Sequence, residues 1–105
     1  MRHLWKVLYE AGVELVLSGH DHTYERFAPQ NPNGEADPER GIRQFVVGTG
    51  GKTLYKFEKI DADSEVRNNT TLGVLKLTLH PDSYDWEFVP VVGGTFTDAG
   101  SGKCH

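Results

Sequence analysis

Residues 15–26 read LVLSGHDHTYER, and this stretch decides how the rest of the chain is interpreted. Between Val13 and Leu17 only Glu14 is polar, and a short apolar run of this kind suits a parallel strand buried on both faces. Gly19 follows the run and permits a sharp turn with close approach of the backbone. The stretch therefore predicts an α/β fold in which a buried strand ends in a polar loop.

Two histidines, His20 and His22, lie one residue apart in that loop. In extended geometry positions i and i+2 project to the same side, so both imidazoles can face one metal ion, or two ions a few ångströms apart. Neutral imidazole is a common ligand of zinc, iron and related ions. Although an arbitrary pair of this kind is more often solvated at the surface, its position after a strand and a glycine favours metal ligands here.

The run from Gly19 through His20 and His22 resembles the last motif, Gly-His-x-His, of the calcineurin-like metallophosphoesterases. Its extension as far as Arg26 is similar to the branch of that family related to purple acid phosphatases. The resemblance covers nearly the whole chain and continues in residues 27–30, 41–51, 94–98 and 104–105. It implies a partial α/β sandwich to which this chain contributes one N-terminal helix, roughly four or five strands and a C-terminal hairpin.

In that family two metal ions about 3.5 Å apart share a hydroxide that attacks phosphorus. The resemblance implies that His20 binds the second metal and His22 the first, with Fe, Zn or Mn as the ions and a phosphate ester as the substrate. The family's other ligands, in Asp-x-His, Gly-Asp-x-x-Asp/Tyr and Gly-Asn-His-Asp/Glu motifs and one further histidine, have no match in this sequence. We therefore expect a single incomplete domain over residues 1–105, the C-terminal part of such an enzyme, which is inactive by itself.

The sequence assigns no catalytic residue, but Arg26 and Asp21 are candidates for supporting roles. The guanidinium of Arg26 could pair with a carboxylate or bind a phosphate group through two N–H donors, and pairing is the favoured interpretation. The carboxylate of Asp21 could orient a neighbouring imidazole or could simply be solvated. Both alternatives for Asp21 remain open.

Composition excludes some classes of partner. The chain has 105 residues and a formal net charge of −4, with acidic and basic residues interspersed. No basic stripe indicates nucleic-acid binding, and no stretch approaches the roughly 18 apolar residues of a membrane span. Cys104 is the only cysteine, so it is either a free thiol or paired with a cysteine of another segment or chain. The resemblance implies secreted or periplasmic relatives, and the residues themselves leave the compartment open.

Apolar spacing predicts one helix before Gly12, from residues three and four positions apart: Leu4, Val7, Leu8 and Ala11. Residues 27–42 are rich in proline, glycine and charge, which predicts a long surface loop. A short apolar run over residues 45–47 predicts a strand. The glycine cluster at residues 48–51 favours a tight turn over a phosphate cradle.

The clearest strand pattern lies in the C-terminal half of the chain. Residues 72–79 and 84–90 alternate apolar and polar side chains around a turn at residues 81–83, which predicts a hairpin with an apolar face and core-packed aromatics. Residues 93–105 are rich in Gly, Ser and Thr and are expected to form an extended or disordered tail. His80 is expected to be solvated and His105 to be mobile.

Three functional hypotheses remain open from the sequence. The first is a C-terminal fragment of a dinuclear-metal phosphoester hydrolase, completed by a missing N-terminal segment or by self-association. The second is a non-enzymatic β-rich binding module, or a subunit completed by a partner chain. The third is a mononuclear metal site in an oligomer, to which two chains each donate His20 and His22.

Overall fold

The computed structural model of the chain describes residues 2–51, 54 and 60–105. These residues form one helix and two β-sheets, a mixed α/β architecture compatible with a partial sandwich. The elements are α1 Arg2–Glu10, β1 Leu15–Ser18, β2 Tyr24–Phe27, β3 Arg43–Val47, β4 Ser64–Asn68, β5 Gly73–Leu79, β6 Ser83–Pro90 and β7 Ala99–Lys103.

The described residues form seven strands, more than the four or five expected from the sequence. The additional strands are β2, β4 and β7, which read YERF, SEVRN and AGSGK. None of them carries the run of apolar residues, or the strict alternation, by which a strand is recognised from sequence. Their pairing depends on contacts with residues that are distant in the chain.

The first sheet has the strand order β1-β3-β2-β4. Strand β1 runs parallel to β3, with Leu17 opposite Phe45, whereas β2 runs antiparallel to both β3 and β4. The predicted parallel strand is therefore confirmed, but its predicted burial on both faces is wrong. Within the described residues β1 pairs on one side only and lies at the sheet edge, and Leu17 on it is 54% exposed.

The second sheet is antiparallel, with the strand order β5-β6-β7. Strands β5 and β6 form the predicted hairpin, in which Leu77 lies opposite Trp86. Alternate side chains of β6 are buried, as the apolar and polar alternation predicts.

Aromatic rings from both sheets fill the core between them. The ring centroids of Tyr24 on β2 and Phe88 on β6 lie 4.8 Å apart, and those of Phe45 on β3 and Trp86 on β6 lie 5.5 Å apart. These separations are typical of tilted and edge-to-face aromatic pairs. The expectation that the hairpin aromatics pack in the core is confirmed.

Of the two expected alternatives for the C-terminal residues, extended or disordered, residues 99–103 are extended and form the paired strand β7. The physical reason is the small size of its alternate residues. A Cβ atom on Gly100 would lie 2.4 Å from the indole of Trp86, and one on Gly102 would lie 2.4 Å from the hydroxyl of Tyr84. The glycines thus let the aromatic rings of β6 lie directly over the backbone of β7.

Helix α1 is confirmed, and Gly12 ends it with a φ of 79°. Its apolar face is largely uncovered by the described residues, since Leu4 and Val7 are both more than half exposed. Instead the helix contacts the long loop through Trp5, which donates to a main-chain carbonyl, and Tyr9, whose hydroxyl donates to the loop. These rings combine apolar area with a hydrogen-bond donor, which suits packing on a polar loop. No helix among the described residues has the length and apolar character needed to cross a membrane.

Because the glycines of β7 pack against the aromatic rings of β6, we expect one added methyl group on β7 to destabilise the fold. Gly100→Ala places a methyl group inside the van der Waals radius of the Trp86 ring and should lower the free energy of unfolding by about 1–3 kcal/mol. The neighbouring Ser101 points to solvent, so Ser101→Ala should change that free energy by less than about 0.5 kcal/mol. Urea denaturation compares the two variants, and equal midpoints would contradict this account of β7.

Candidate metal centre

The histidine-bearing loop, residues 19–23, connects β1 to β2. Because β1 and β3 are parallel, their carboxyl ends lie together, and the loop lies beside the residue that follows β3. Its backbone is held by two hydrogen bonds: the Thr23 N–H donates to the Asp21 carbonyl at 2.8 Å, and the Gly48 N–H donates to the Thr23 carbonyl at 2.9 Å.

Gly48 permits an unusually close approach between the histidine-bearing loop and the end of β3. A Cβ atom at this position would lie 1.9 Å from the carbonyl oxygen of Asp21 and 2.6 Å from that of Gly19. A side chain at Gly48 therefore forces the loop away from the sheet.

The glycine cluster as a whole connects the two sheets. Thr49 is buried, its hydroxyl donates to the carbonyl of Gly73 at 2.8 Å, and its own carbonyl accepts the Gly73 N–H at 3.0 Å. Gly73 begins β5, so the turn after β3 is bonded to the first residue of the second sheet. Residues 50 and 51 bend the chain, and the choice of a tight turn over a phosphate cradle stays a prediction.

The two predicted ligands occupy different surroundings. His20 is exposed, whereas His22 is partly buried and lines a recess of about 570 Å³ with Val47, Gly48 and neighbouring glycines. Residues 20–23 form a series of bends rather than an extended segment, so the i, i+2 argument for a shared direction does not apply. The assignment of His20 and His22 as metal ligands stays a prediction.

A complete metal centre is not formed by the described residues alone. Within residues 2–51, 54 and 60–105, no group of three or more His, Cys, Asp and Glu side chains is placed to hold a metal ion. A catalytic metal needs about three protein ligands and an open position. The residues of this part of the chain therefore do not fit a self-contained one-metal or two-metal site. Asp21 is exposed, and its predicted supporting role is untested.

Tyr24 and Arg26 follow the loop on β2, and their spacing of two places both side chains towards the second sheet. The Tyr24 hydroxyl donates to Asp98 Oδ2 at 2.6 Å. The Arg26 guanidinium binds the same carboxylate through two donors, Nε to Oδ2 at 2.8 Å and Nη2 to Oδ1 at 3.2 Å. Asp98 precedes β7, so these bonds join the first sheet to the second.

A second carboxylate extends this contact. Glu65 on β4 accepts from Nη1 of both Arg26 and Arg43, the latter at 2.6 Å. The two guanidinium carbons lie 5.0 and 4.9 Å from the centroid of the Trp86 ring, which adds cation–π attraction. We call these four charged residues, Arg26, Arg43, Glu65 and Asp98, the inter-sheet ion cluster.

The inter-sheet ion cluster decides between the two interpretations of Arg26. Nε, Nη1 and Nη2 all donate to Asp98 or Glu65, so the guanidinium is engaged in structural pairing. The described residues thus show the carboxylate pairing that the sequence favoured, whereas a supporting role of Arg26 at a metal centre stays a prediction.

Protonation of the cluster follows from its burial and pairing. Burial raises the pKa of the Asp98 carboxyl, but hydrogen bonds from Arg26 and Tyr24 and the charge of Arg26 outweigh it, so this pKa is lower than usual. Burial and the bond to Asp98 raise the pKa of Tyr24, which stays a neutral donor. Burial lowers the pKa of Arg26, but its pairing with Asp98 more than compensates and leaves it raised.

Sequence reasoning missed the partners of Arg26. Asp98 lies in a segment rich in glycine and threonine, 72 residues away from Arg26, and no local pattern marks it. Glu65 and Arg43 likewise carry no signal of their own. The available signal was the spacing of Tyr24 and Arg26, which lie two residues apart and so share one face of a strand. An arginine on a face that packs inward needs a counter-charge nearby.

Two further histidines, His80 and His105, and the cysteine lie outside the histidine-bearing loop. His80 lies 2.9 Å from an Asp85 carboxylate oxygen in an exposed pair. His105, which was expected to be mobile, donates its main-chain N–H to Glu14 at 2.7 Å. Cys104 is exposed and unbridged, and partial desolvation together with nearby carboxylates raises the pKa of its thiol.

Comparisons with known proteins give partial matches. The chain is 48% identical over 48 residues to purple acid phosphatase 21 of Arabidopsis thaliana, and 41% identical over 51 residues to purple acid phosphatase 18 of the same plant. These matches cover 46% and 49% of this chain, but only 10% and 11% of the relatives. The chain thus spans about a tenth of the curated relatives that it matches. No family model and no solved structure matches the chain.

The matches indicate a relationship to a phosphoester hydrolase over about half of this chain. Purple acid phosphatases are metal-dependent, and the described residues of this chain hold no metal-binding group. The comparisons therefore point to a related phosphoesterase fragment and to nothing more specific.

The lowered pKa of Asp98 predicts how stability depends on pH. Because this pKa is lower in the folded chain than in the unfolded chain, ionised Asp98 stabilises the fold above about pH 4, and that contribution is lost as pH falls through the folded-state value. Asp98→Asn should destabilise the chain at pH 7 and flatten its acid dependence. Thermal unfolding at pH 7 and pH 3 measures both effects.

Asp85→Asn is the matched control, because Asp85 forms an exposed pair with His80. Its acid profile should follow that of the unmodified chain. An Asp98→Asn variant that loses as much stability between pH 7 and pH 3 as the unmodified chain would contradict the assigned role of Asp98.

Proposed function

We propose that this chain is the carboxyl-terminal portion of a metal-dependent phosphoester hydrolase, and that residues 19–23 contribute His20 and His22 to a two-metal centre. The observation that carries the proposal is the position of His22, in a recess at the adjoining carboxyl ends of β1 and β3. The partial matches to purple acid phosphatases support the class of reaction.

The centre proposed here is completed by other polypeptide. The described part of the chain brings two imidazoles, at most one for each of two ions, and contains no cluster of three ligands. We infer that the remaining ligands come from a further segment or from a second chain. A phosphate ester is then the substrate of the completed assembly, and this chain by itself is expected to be inactive.

If the remaining ligands come from other polypeptide, the residues around the histidine-bearing loop mainly position the loop. Gly48 lets the loop pack on the end of β3, and the inter-sheet ion cluster holds β2, on which the loop ends. Each nitrogen of the Arg26 guanidinium donates to a carboxylate, so we assign Arg26 to positioning β2 and not to binding the phosphate group.

An exposed groove favours a second candidate function, a β-rich subunit completed by a partner chain without catalysis. Leu17 on β1 and Val74 on β5 are 54% and 59% exposed and line a common groove of about 450 Å³. Unpaired strand edges beside exposed apolar side chains are typical of surfaces that pair with another chain. Metal binding distinguishes this candidate from the first, because only the first requires the two histidines as ligands.

Calorimetric titration of the chain with Zn²⁺ or Mn²⁺ tests the proposed ligands. Binding should be weak, and the double variant His20→Ala, His22→Ala should lower affinity by about tenfold or more, since loss of a ligand costs at least as much as loss of a residue that orients one. His80→Ala removes an exposed histidine elsewhere and should leave affinity unchanged. Equal affinity in all three proteins would show that the pair does not bind metal.

Two glycine variants test whether metal binding depends on the position of the histidine-bearing loop. Gly48→Ala displaces the loop because its Cβ meets the Asp21 carbonyl, and it should weaken metal binding like the double histidine variant. A Cβ on Gly50 meets nothing within 4 Å, so Gly50→Ala is the control and should bind as the unmodified chain does. Identical binding by the two glycine variants would count against the proposed position of the ligands.

A further inference from the structure

We propose that the chain binds a neutral saccharide unit in a recess between helix α1, the long loop and the outer face of the first sheet. The recess has a volume of about 250 Å³, which suits a ligand smaller than a drug molecule. It is lined by Trp5 of α1, Gln44 of β3 and residues 30–34 of the long loop.

This recess lies on the face of the first sheet that points away from the core. Gln44 and Phe45 are consecutive residues of β3, so their side chains project to opposite faces of the sheet. Phe45 is fully buried in the core, which places Gln44 on the outer face, beside α1. None of the described residues that line the recess belongs to the histidine-bearing loop. The inference therefore does not depend on the proposed phosphoesterase function.

The lining of the recess is uncharged. Among the described residues that line it there is no Lys, Arg, His, Asp or Glu, although 25% of the residues of the chain are charged. A bound ion would lose part of its hydration here without gaining an opposite charge, which is unfavourable. The recess therefore favours an uncharged ligand.

Three carboxamides provide hydrogen-bonding groups that a ligand can reach. The side chains of Gln30, Asn33 and Gln44 make no hydrogen bond to another residue of the described part of the chain, and all three residues are partly or fully exposed. Each carboxamide offers a carbonyl acceptor and two N–H donors. A hydroxyl also both donates and accepts, so a ligand with several hydroxyls can pair with all three side chains.

An indole ring supplies apolar surface beside these carboxamides. Nε1 of Trp5 donates to the main-chain carbonyl of Gln30, with a distance of 3.4 Å between nitrogen and oxygen, so the ring is held against the long loop. The face of an aromatic ring carries partial negative charge and attracts the C–H bonds on the flat side of a sugar ring. A saccharide combines such a C–H face with a rim of hydroxyls, which matches the indole and the carboxamides together.

The loop wall of the recess is held by hydrogen bonds of its own. Oδ1 of Asn31 accepts from the N–H groups of Asn33 at 2.9 Å and Glu35 at 3.1 Å. The main chain of Gln30 also exchanges two hydrogen bonds with Ile42, at 2.9 and 3.0 Å. Because the wall is already formed, binding does not have to order the loop.

NMR titration of the full chain with the methyl glycosides of glucose, galactose and mannose tests the site. At least one glycoside should shift the indole N–H signal of Trp5 and the backbone signals of Asn33 and Gln44, with one saturable, millimolar affinity. The indole N–H signal of Trp86, a buried core residue, is the internal control and should not shift. Glycerol, which has hydroxyls but no ring, should bind at least tenfold more weakly.

Three variants with a matched control separate the two kinds of contact. Gln44→Met removes a carboxamide at nearly constant size and should weaken binding about threefold to tenfold, as expected for the loss of one neutral hydrogen bond. Trp5→Leu should weaken binding about tenfold, whereas Trp5→Phe keeps an aromatic face and should bind within about threefold of the unmodified chain. Thr78→Val removes an exposed hydroxyl on β5 and should leave affinity unchanged.

Several results would overturn the proposal. It fails if none of the three glycosides shifts the Trp5 signal, if the Trp86 signal shifts as much, if glycerol binds as tightly, or if the variants do not follow the stated order. It also fails if adenosine, whose planar base could stack on the indole, binds more tightly than every glycoside, because the recess would then be a nucleobase site.

Discussion

The fold depends on one buried carboxylate, Asp98, which accepts hydrogen bonds from Tyr24 and Arg26 across the interface between the two sheets. Its side chain is only 9% exposed, so the charge is taken out of water and must be compensated by these donors. Strand β2, which reads YERF, buries the ring of Tyr24 but carries the charged Arg26 on the same face. The ion pair therefore supplies a reason for this polar strand to pack inside the sandwich.

One continuous stretch of sequence serves both structure and the candidate site. Residues 19–23 form the histidine-bearing loop, and the alternate residues Tyr24 and Arg26 turn inward to Asp98. Gly48 holds the loop from the other side, since its missing side chain lets the backbones touch. The position of His22 is therefore determined at both ends of the loop, by a close backbone contact and by a buried ion pair.

Local patterns predicted some elements and could not predict others. The β5–β6 hairpin was predictable because apolar and polar residues alternate on both sides of a turn. Strand β7 was not, because its alternate glycines have meaning only against the rings of Trp86 and Tyr84. The role of Asp98 could not be predicted either, since it lies 72 residues from Arg26 in the sequence and no local pattern marks it as the counter-charge. The histidine pair was found by its resemblance to a motif, whereas its bent geometry depends on the packing at Gly48.

A double-mutant cycle measures the central interaction most directly. The free energy of unfolding at pH 7 is determined for the unmodified chain, Arg26→Met, Asp98→Asn and the double variant. If the pair joins the sheets as described, the two single changes will be non-additive, with an interaction energy of about 1–3 kcal/mol. Additivity within about 0.5 kcal/mol would contradict the account, because it would mean that Arg26 and Asp98 stabilise the fold independently of each other.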